Sequence, residues 1–307
     1  MHLFAPKYYK NFKCSASECK HSCCVDWEID IDKKSISRYK SVNSGYKEAI
    51  LSSIYKDKYC GVSHFRMSSD GRCPHLDSDG LCKIILELGE DYLCDICREH
   101  PRFYNRTIRG CEVGIGAVCE EACRIILESD SYFEMEEIGN VQGNPPKLDY
   151  DATYERERIF SILSDKSLPY ENRLNEIYKT YEICLESFSD DEWRSTLSEL
   201  EYMEENNASL FAFYSSSALA PGEYSIYLER FLAYLIYRHA SEAGTERDFR
   251  RALAFSLFCE RLFASLIRAE NVENQDELIN LAQIISMEIE YSTENKDSIL
   301  MDMEFVI

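Results

Sequence analysis

The chain has 307 residues, of which 45% are hydrophobic and 12% aromatic, enough for a sizeable core and more than one domain usually holds, so two units are expected. No stretch approaches 18 uninterrupted apolar residues, which argues against membrane insertion. The formal net charge of -21 argues against a nucleic-acid backbone as partner. The first residues, MHLFAPKYYKNFKC, lack the charged start, apolar run and cleavage site of a signal peptide, so a cytoplasmic location is expected. Disulfides are disfavoured there.

Fourteen cysteines in a reducing compartment need another explanation, and twelve of them lie between Cys14 and Cys123. Charge divides the chain at nearly the same place. Residues 1–127 carry 19 Lys+Arg against 18 Asp+Glu, and the remainder 15 against 37. Such an acidic second part suits a lysine-bearing protein partner, although a solvated acidic surface is the commoner outcome.

In chain order, the segment from Cys14 to about Leu127 is punctuated by turn signals such as Ser69-Asp70-Gly71 and Asp77-Ser78-Asp79-Gly80 and reads as loop-rich. In WEIDID, Trp27, Ile29 and Ile31 alternate with acidic residues, the pattern of a half-buried strand. Ile84, Ile85 and Leu88 lie at helical spacing, and CEEACRIIL predicts a helix with Cys119 and Cys123 on one face. Gly139, Gly143 and Pro145-Pro146 mark a linker over 129–151. Beyond it, faces are shared by Leu174, Ile177, Tyr178 and Tyr181; by Leu228, Phe231, Leu232, Leu235, Ile236 and His239; by Leu262, Phe263, Leu266 and Ile267; and by Leu278, Leu281, Ile284 and Ile285. The expected fold is mainly α: a cysteine-rich metal domain over 1–128 with at most a short strand or two, packed on an acidic bundle of five to seven helices over 152–307.

The densest motif is C-x4-C-x3-C-C, formed by Cys14, Cys19, Cys23 and Cys24. Thiolates are soft ligands suited to zinc and iron–sulfur clusters, and short loops let several converge without ordering a long chain. Consecutive side chains diverge, so Cys23 and Cys24 more naturally serve two neighbouring centres. A second set follows, with Cys73, Cys82, Cys94 and Cys97 and then Cys111, Cys119 and Cys123. There are thiols enough for two four-sulfur sites. Neither a pair of zinc-ribbon CxxC knuckles nor a bacterial ferredoxin run is present, so spacing indicates metal without choosing zinc or iron. Cys184 and Cys259 fall on apolar helical stretches and read as core, as does His239; His21, His64, His75 and His100 are not assigned as ligands.

The segments CSASECKHSCCVDWEIDID, GRCPHLDSDGLCKIILELGEDYLCDICREHPR and CEEACRIIL resemble the flagellin lysine-N-methylase family (FliB type), which includes a cysteine-rich zinc- or iron-chelating domain. The resemblance covers roughly residues 8–128. It implies eight metal-binding cysteines, Cys14, Cys19, Cys23, Cys24, Cys73, Cys82, Cys97 and Cys119, and leaves Cys60, Cys94, Cys111 and Cys123 outside the set. It further implies methyl transfer from S-adenosylmethionine to lysine ε-amines of flagellin by a protein carrying an iron–sulfur cluster, 4Fe–4S in type, with zinc as the alternative metal. No glycine-rich nucleotide turn is present: Gly114-Ile-Gly116 lacks the third glycine. Two further readings stand beside the enzyme: a zinc-stabilised binding protein without chemistry, and an iron–sulfur electron carrier.

Overall fold

The computed structural model describes residues 1–219 and 221–307. It divides into two compact units, Lys13–Arg102 and a second made of Met1–Phe12 with Phe103–Ile307. Strand β1 (His2–Pro6) opens the chain in the second unit. Its parallel partner, the strand Gly110–Ile115, comes only after the cysteine-rich unit, so that unit is an insertion within one crossover connection.

Within Lys13–Arg102, helices α1 (Lys33–Ser41) and α2 (Lys47–Ser53) precede a two-stranded antiparallel hairpin, β2 (Ile54–Lys56) and β3 (Ser63–Phe65). Two short helices follow, α3 (Lys83–Leu88) and α4 (Asp95–Glu99). The WEIDID segment takes its predicted alternation, with Ile29 and Ile31 buried, but meets its neighbour through an isolated bridge between Asp30 and His64. Its ladder bonds are Ile31 N to Ser63 O at 2.7 Å and Phe65 N to Ile29 O at 3.2 Å. The core is small: Ile29, Ile31, Tyr39, Ile50, Phe65 and Ile84 are joined by the buried thiols Cys73 and Cys94. Eight buried side chains are a thin core for a unit of this length.

The second unit resumes at Phe103, within β4 (Arg102–Thr107), and continues with β5 (Gly110–Ile115), then α5 (Glu120–Glu128) and β6 (Met135–Asn140). The sheet order is β4-β5-β1-β6, with β1 parallel to β5 and antiparallel to β6. At Gly110 a Cβ would lie 2.6 Å from His2 O, so only glycine lets β5 approach β1. The unit boundaries therefore differ from the expected 1–128: residues 103–128 belong to the helical unit because β5 pairs with the amino-terminal strand. The expected linker likewise contains β6, whose non-local ladder bonds to β1 local turn signals do not reveal.

Among the described residues eight α-helices follow: α6 (Ala152–Ser164), α7 (Tyr170–Thr180), α8 (Asp190–Ser198), α9 (Glu205–Phe211), α10 (Ser225–His239), α11 (Glu246–Ala269), α12 (Gln275–Ile285) and α13 (Thr293–Asp302). The surplus over five to seven is made of short polar helices such as α8, which a capping box at Ser189 and Glu192 starts. Helices α10 and α11 are buried on nearly all sides from Leu228 to Tyr237 and from Leu253 to Ile267, and form the centre. Among the described residues no helix is long and apolar enough to cross a membrane.

Charges inside this unit are paired. Arg156 donates to both oxygens of Glu112 at 2.7 and 2.8 Å, joining α6 to β5. A π-helical turn over Ser286–Glu290 carries Glu290 to His239 Nε2, 2.7 Å away, and Tyr234 donates to the same carboxylate. His239 is thus a satisfied core histidine, with burial lowering its pKa despite the carboxylate.

Candidate metal centre

Backbone pairing within the inserted unit brings distant cysteines together. The stretch from Cys24 to Asp26 folds against the turn over residues 68–73: Asp26 N donates to Gly71 O at 2.9 Å, Val25 bridges Arg72, and Cys73 N donates to Cys24 O at 2.8 Å. Gly71, at φ +73°, sits so close that a Cβ would fall 1.8 Å from Asp26 Oδ1. From Cys73 the chain turns through Asp77–Gly80, held by Asp77 Oδ1 accepting from the amides of Asp79 and Leu81, and a bridge between Leu76 and Cys82 returns the next thiol. Cys82 then starts α3.

Cys94 and Cys97 enter from the carboxyl side of the unit. Asp32 caps α1 by accepting from Ser35 N at 2.8 Å, and its other oxygen accepts from Asp95 N at 3.0 Å. Arg38 of the same helix donates to Leu93 O at 2.8 Å. One helix thus grips the backbone on both sides of Cys94. Burial opposes ionisation of Asp32, but these hydrogen bonds win and hold its pKa at about 2. Cys94 starts the single turn of α4, so Cys97 projects from the same turn.

Five thiols, Cys24, Cys73, Cys82, Cys94 and Cys97, therefore act on one another electrostatically. Cys24 is lowered to about 7, first by the thiol hydrogen bond from Cys23 and, against burial, by Ser22 and the Arg72 charge. Cys94 is lowered by the thiol hydrogen bond from Cys97. Cys73 is pushed up to about 12 by burial, with Cys24, Cys82 and Cys94 adding repulsion, and Cys97 is raised by its bond to Cys94 and by burial. Thiols this crowded cannot all ionise alone. A bound cation removes that repulsion, so the donor set fits a thiolate-ligated metal: four such ligands satisfy zinc or an iron–sulfur cluster.

Of the eight cysteines expected as ligands, the structure brings Cys24, Cys73, Cys82 and Cys97 together. Cys14 and Cys19 flank the 3-10 turn Ala16–Glu18, with Ser15 Oγ 3.0 Å from Cys19 Sγ. That turn abuts Gly80, whose added Cβ would meet Ser17 at 3.4 Å, so it lies near the turn leading to Cys82. Cys23 is exposed and bonds the Cys24 sulfur. Cys119 belongs to the helical unit, where it starts α5 and packs beside the main core. Cys94, absent from the expected set, is 1% exposed at the middle of the group; its C-x2-C spacing with Cys97 was the available signal. Arg102 Nη1 donates to Arg98 O at 3.2 Å, a local structural contact.

The fold and these thiols define a mainly helical protein with an inserted cysteine-rich unit suited to metal. Comparison with known proteins places it further. It is 29% identical over 130 residues to the flagellar biosynthetic protein FliU of Salmonella muenchen, covering 40% of this chain and 75% of that protein. It is 27% identical over 145 residues to the lysine-N-methylases of Salmonella choleraesuis and Salmonella typhimurium, covering 45% of this chain. The match spans 35% of the length of each of those methylases. The chain is a distant relative of the FliB-type lysine-N-methylases. No family model and no solved structure matches it.

Proposed function

We propose that this protein is an S-adenosylmethionine-dependent methyltransferase that acts on lysine ε-amines of flagellin and carries a cysteine-ligated iron–sulfur cluster. The observation that carries the reading is the convergence of Cys24, Cys73, Cys82, Cys94 and Cys97 in a chain related to lysine-N-methylases. These five supply the ligands of one cluster, and Cys14, Cys19 and Cys23 are the remaining candidates of the inserted unit for a neighbouring centre. Bound there, a cluster would supply redox or Lewis-acid chemistry. The chain's own part is to fix the sulfurs through the Cys73–Cys24 backbone bond and the Asp32–Asp95 contact, and to keep Cys73 and Cys94 out of water. The helical unit, which carries most of the acidic excess, suits a lysine-bearing partner by charge.

Co-expression with flagellin, followed by mass spectrometry of its lysines, tests the activity: methylated lysines are expected only with the intact protein and S-adenosylmethionine supply. Unchanged lysine masses would overturn it. Anaerobic purification tests the cofactor, with iron and acid-labile sulfide in equal amounts expected. A second reading, zinc held structurally, draws on the thin core into which Cys73 and Cys94 are built; colourless protein with stoichiometric zinc would select it.

A further inference from the structure

Two acidic residues of WEIDID, Glu28 and Asp30, meet a buried histidine. Asp30 pairs with His64 across the isolated bridge, and Tyr55 pairs with His64 on the other side in the β2–β3 ladder. Cross-strand partners share a face, and the two-residue period puts Glu28 on the face of Asp30. The outcome is a compact group: Glu28 Oε1 lies 3.2 Å and Asp30 Oδ1 2.9 Å from His64 Nδ1, and all three donor atoms fall within 4.8 Å of one another.

His64 is 4% exposed, and its Nδ1 is buried without a hydrogen-bond partner, so both carboxylate oxygens stand close to it outside hydrogen-bonding geometry. Separations of about 3 Å are those between neighbouring donors around one metal ion with bonds near 2.1 Å. Two carboxylates aimed at one nitrogen repel each other unless a cation lies between them. Nothing in the group is a thiolate at bonding distance; Cys60 Sγ stands 4.0 Å from the other ring nitrogen.

We propose that Glu28, Asp30 and His64 Nδ1 form a mononuclear site for a first-row divalent cation, separate in its ligands from the cysteine cluster. One imidazole nitrogen and two carboxylate oxygens suit manganese, iron(II) or zinc. The carboxylate side chains are 65% and 55% exposed, so the remaining coordination positions face solvent. Glu28 also lines a cleft of about 470 Å³ walled by Trp27, Tyr55, Phe65, Arg66 and Met67. An oxygen-donor ligand entering that cleft has access to the cation.

Manganese(II) is the discriminating probe, because its oxygen and nitrogen preference keeps it off the thiolates. The full chain, with its thiol-bound metal already quantified, is titrated with Mn²⁺ and followed by electron paramagnetic resonance. Saturation at one Mn²⁺ per chain is expected, with spin-echo modulation from a single imidazole nitrogen. Glu28→Gln and Asp30→Asn, both on exposed side chains, should each weaken binding at least tenfold with the circular dichroism unchanged, and His64→Gln should abolish the nitrogen modulation. Absence of saturable Mn²⁺ uptake by the folded wild type, or uptake unaltered in both carboxamide variants, overturns the site. Flagellin methylation is not read in this experiment, so its outcome is independent of the proposed activity.

Discussion

The amide of Cys73 donates to the carbonyl of Cys24 at 2.8 Å, and this backbone bond places two thiols from well-separated stretches of chain beside each other. With Cys82, Cys94 and Cys97 they share one electrostatic neighbourhood. Serine at any of the five should therefore lower metal per chain in anaerobically purified protein, with Cys94→Ser as severe as Cys97→Ser. Cys184, expected in the core, is instead exposed ahead of the 3-10 turn Leu185–Ser187, and Cys184→Ser should leave metal content unchanged. Wild-type metal in Cys94→Ser would remove that residue from the ligand set.

Gly71 combines φ +73° with contact against Asp26, where an added Cβ would lie 1.8 Å from Oδ1. Gly71→Ala must shift the Cys24–Cys73 pairing, at a cost of roughly 1–3 kcal/mol. A lowered denaturation midpoint together with reduced metal retention is expected. An unshifted midpoint would mean that the turn relaxes freely.

In the helical unit, Arg156 and Glu112 are 4% and 6% exposed and bonded through two hydrogen bonds. Arg156→Ala leaves a buried carboxylate without its cation and should cost about 3–5 kcal/mol in urea unfolding. Replacing both by apolar residues of similar volume should recover most of the loss. A single variant as stable as the wild type would show that water reaches Glu112.

Glu260 is fully buried, and burial raises its carboxyl pKa to about 7 while Arg261 pulls it down. Arg261 donates its hydrogen bonds to Ala218 O at 2.6 Å and to Glu171 at 2.9 Å, leaving Glu260 Oε2 without a hydrogen bond. The folded chain holds this proton to higher pH than the unfolded one, so the contribution is complete below the ordinary glutamate range and is lost as pH rises through about 7. Between pH 5 and 8 the wild type should lose on the order of 2–3 kcal/mol relative to Glu260→Gln. Parallel pH profiles of unfolding free energy for the two proteins would refute this.

Much of the architecture was legible in linear pattern. The apolar spacing of Leu228 to Ile236 and of Leu262 to Ile267 marks α10 and α11, because a helix writes its buried face into a local period. The alternation in WEIDID marks an extended segment with Ile29 and Ile31 inward for the same reason. The short polar helices α8 and α9 and the strand β6 escaped, since their stability comes from caps and distant partners. Cys94 lies outside the expected set although its C-x2-C spacing with Cys97 marks it, and His64 escaped because neither spacing nor residue type distinguishes it from a satisfied histidine.

Residue chemistry and local spacing thus settled that thiols are concentrated in the first part of the chain, that acidic charge is concentrated in the second, and that the second is helical. Tertiary structure decided the rest. Pairing of β1 with β5 made the cysteine-rich segment an insertion and moved residues 103–128 into the helical unit. The Cys24–Cys73 bond and the grip of Asp32 and Arg38 on the backbone around Cys94 selected which sulfurs meet. Those contacts join residues far apart along the chain through backbone groups that every sequence carries, so no local pattern records them.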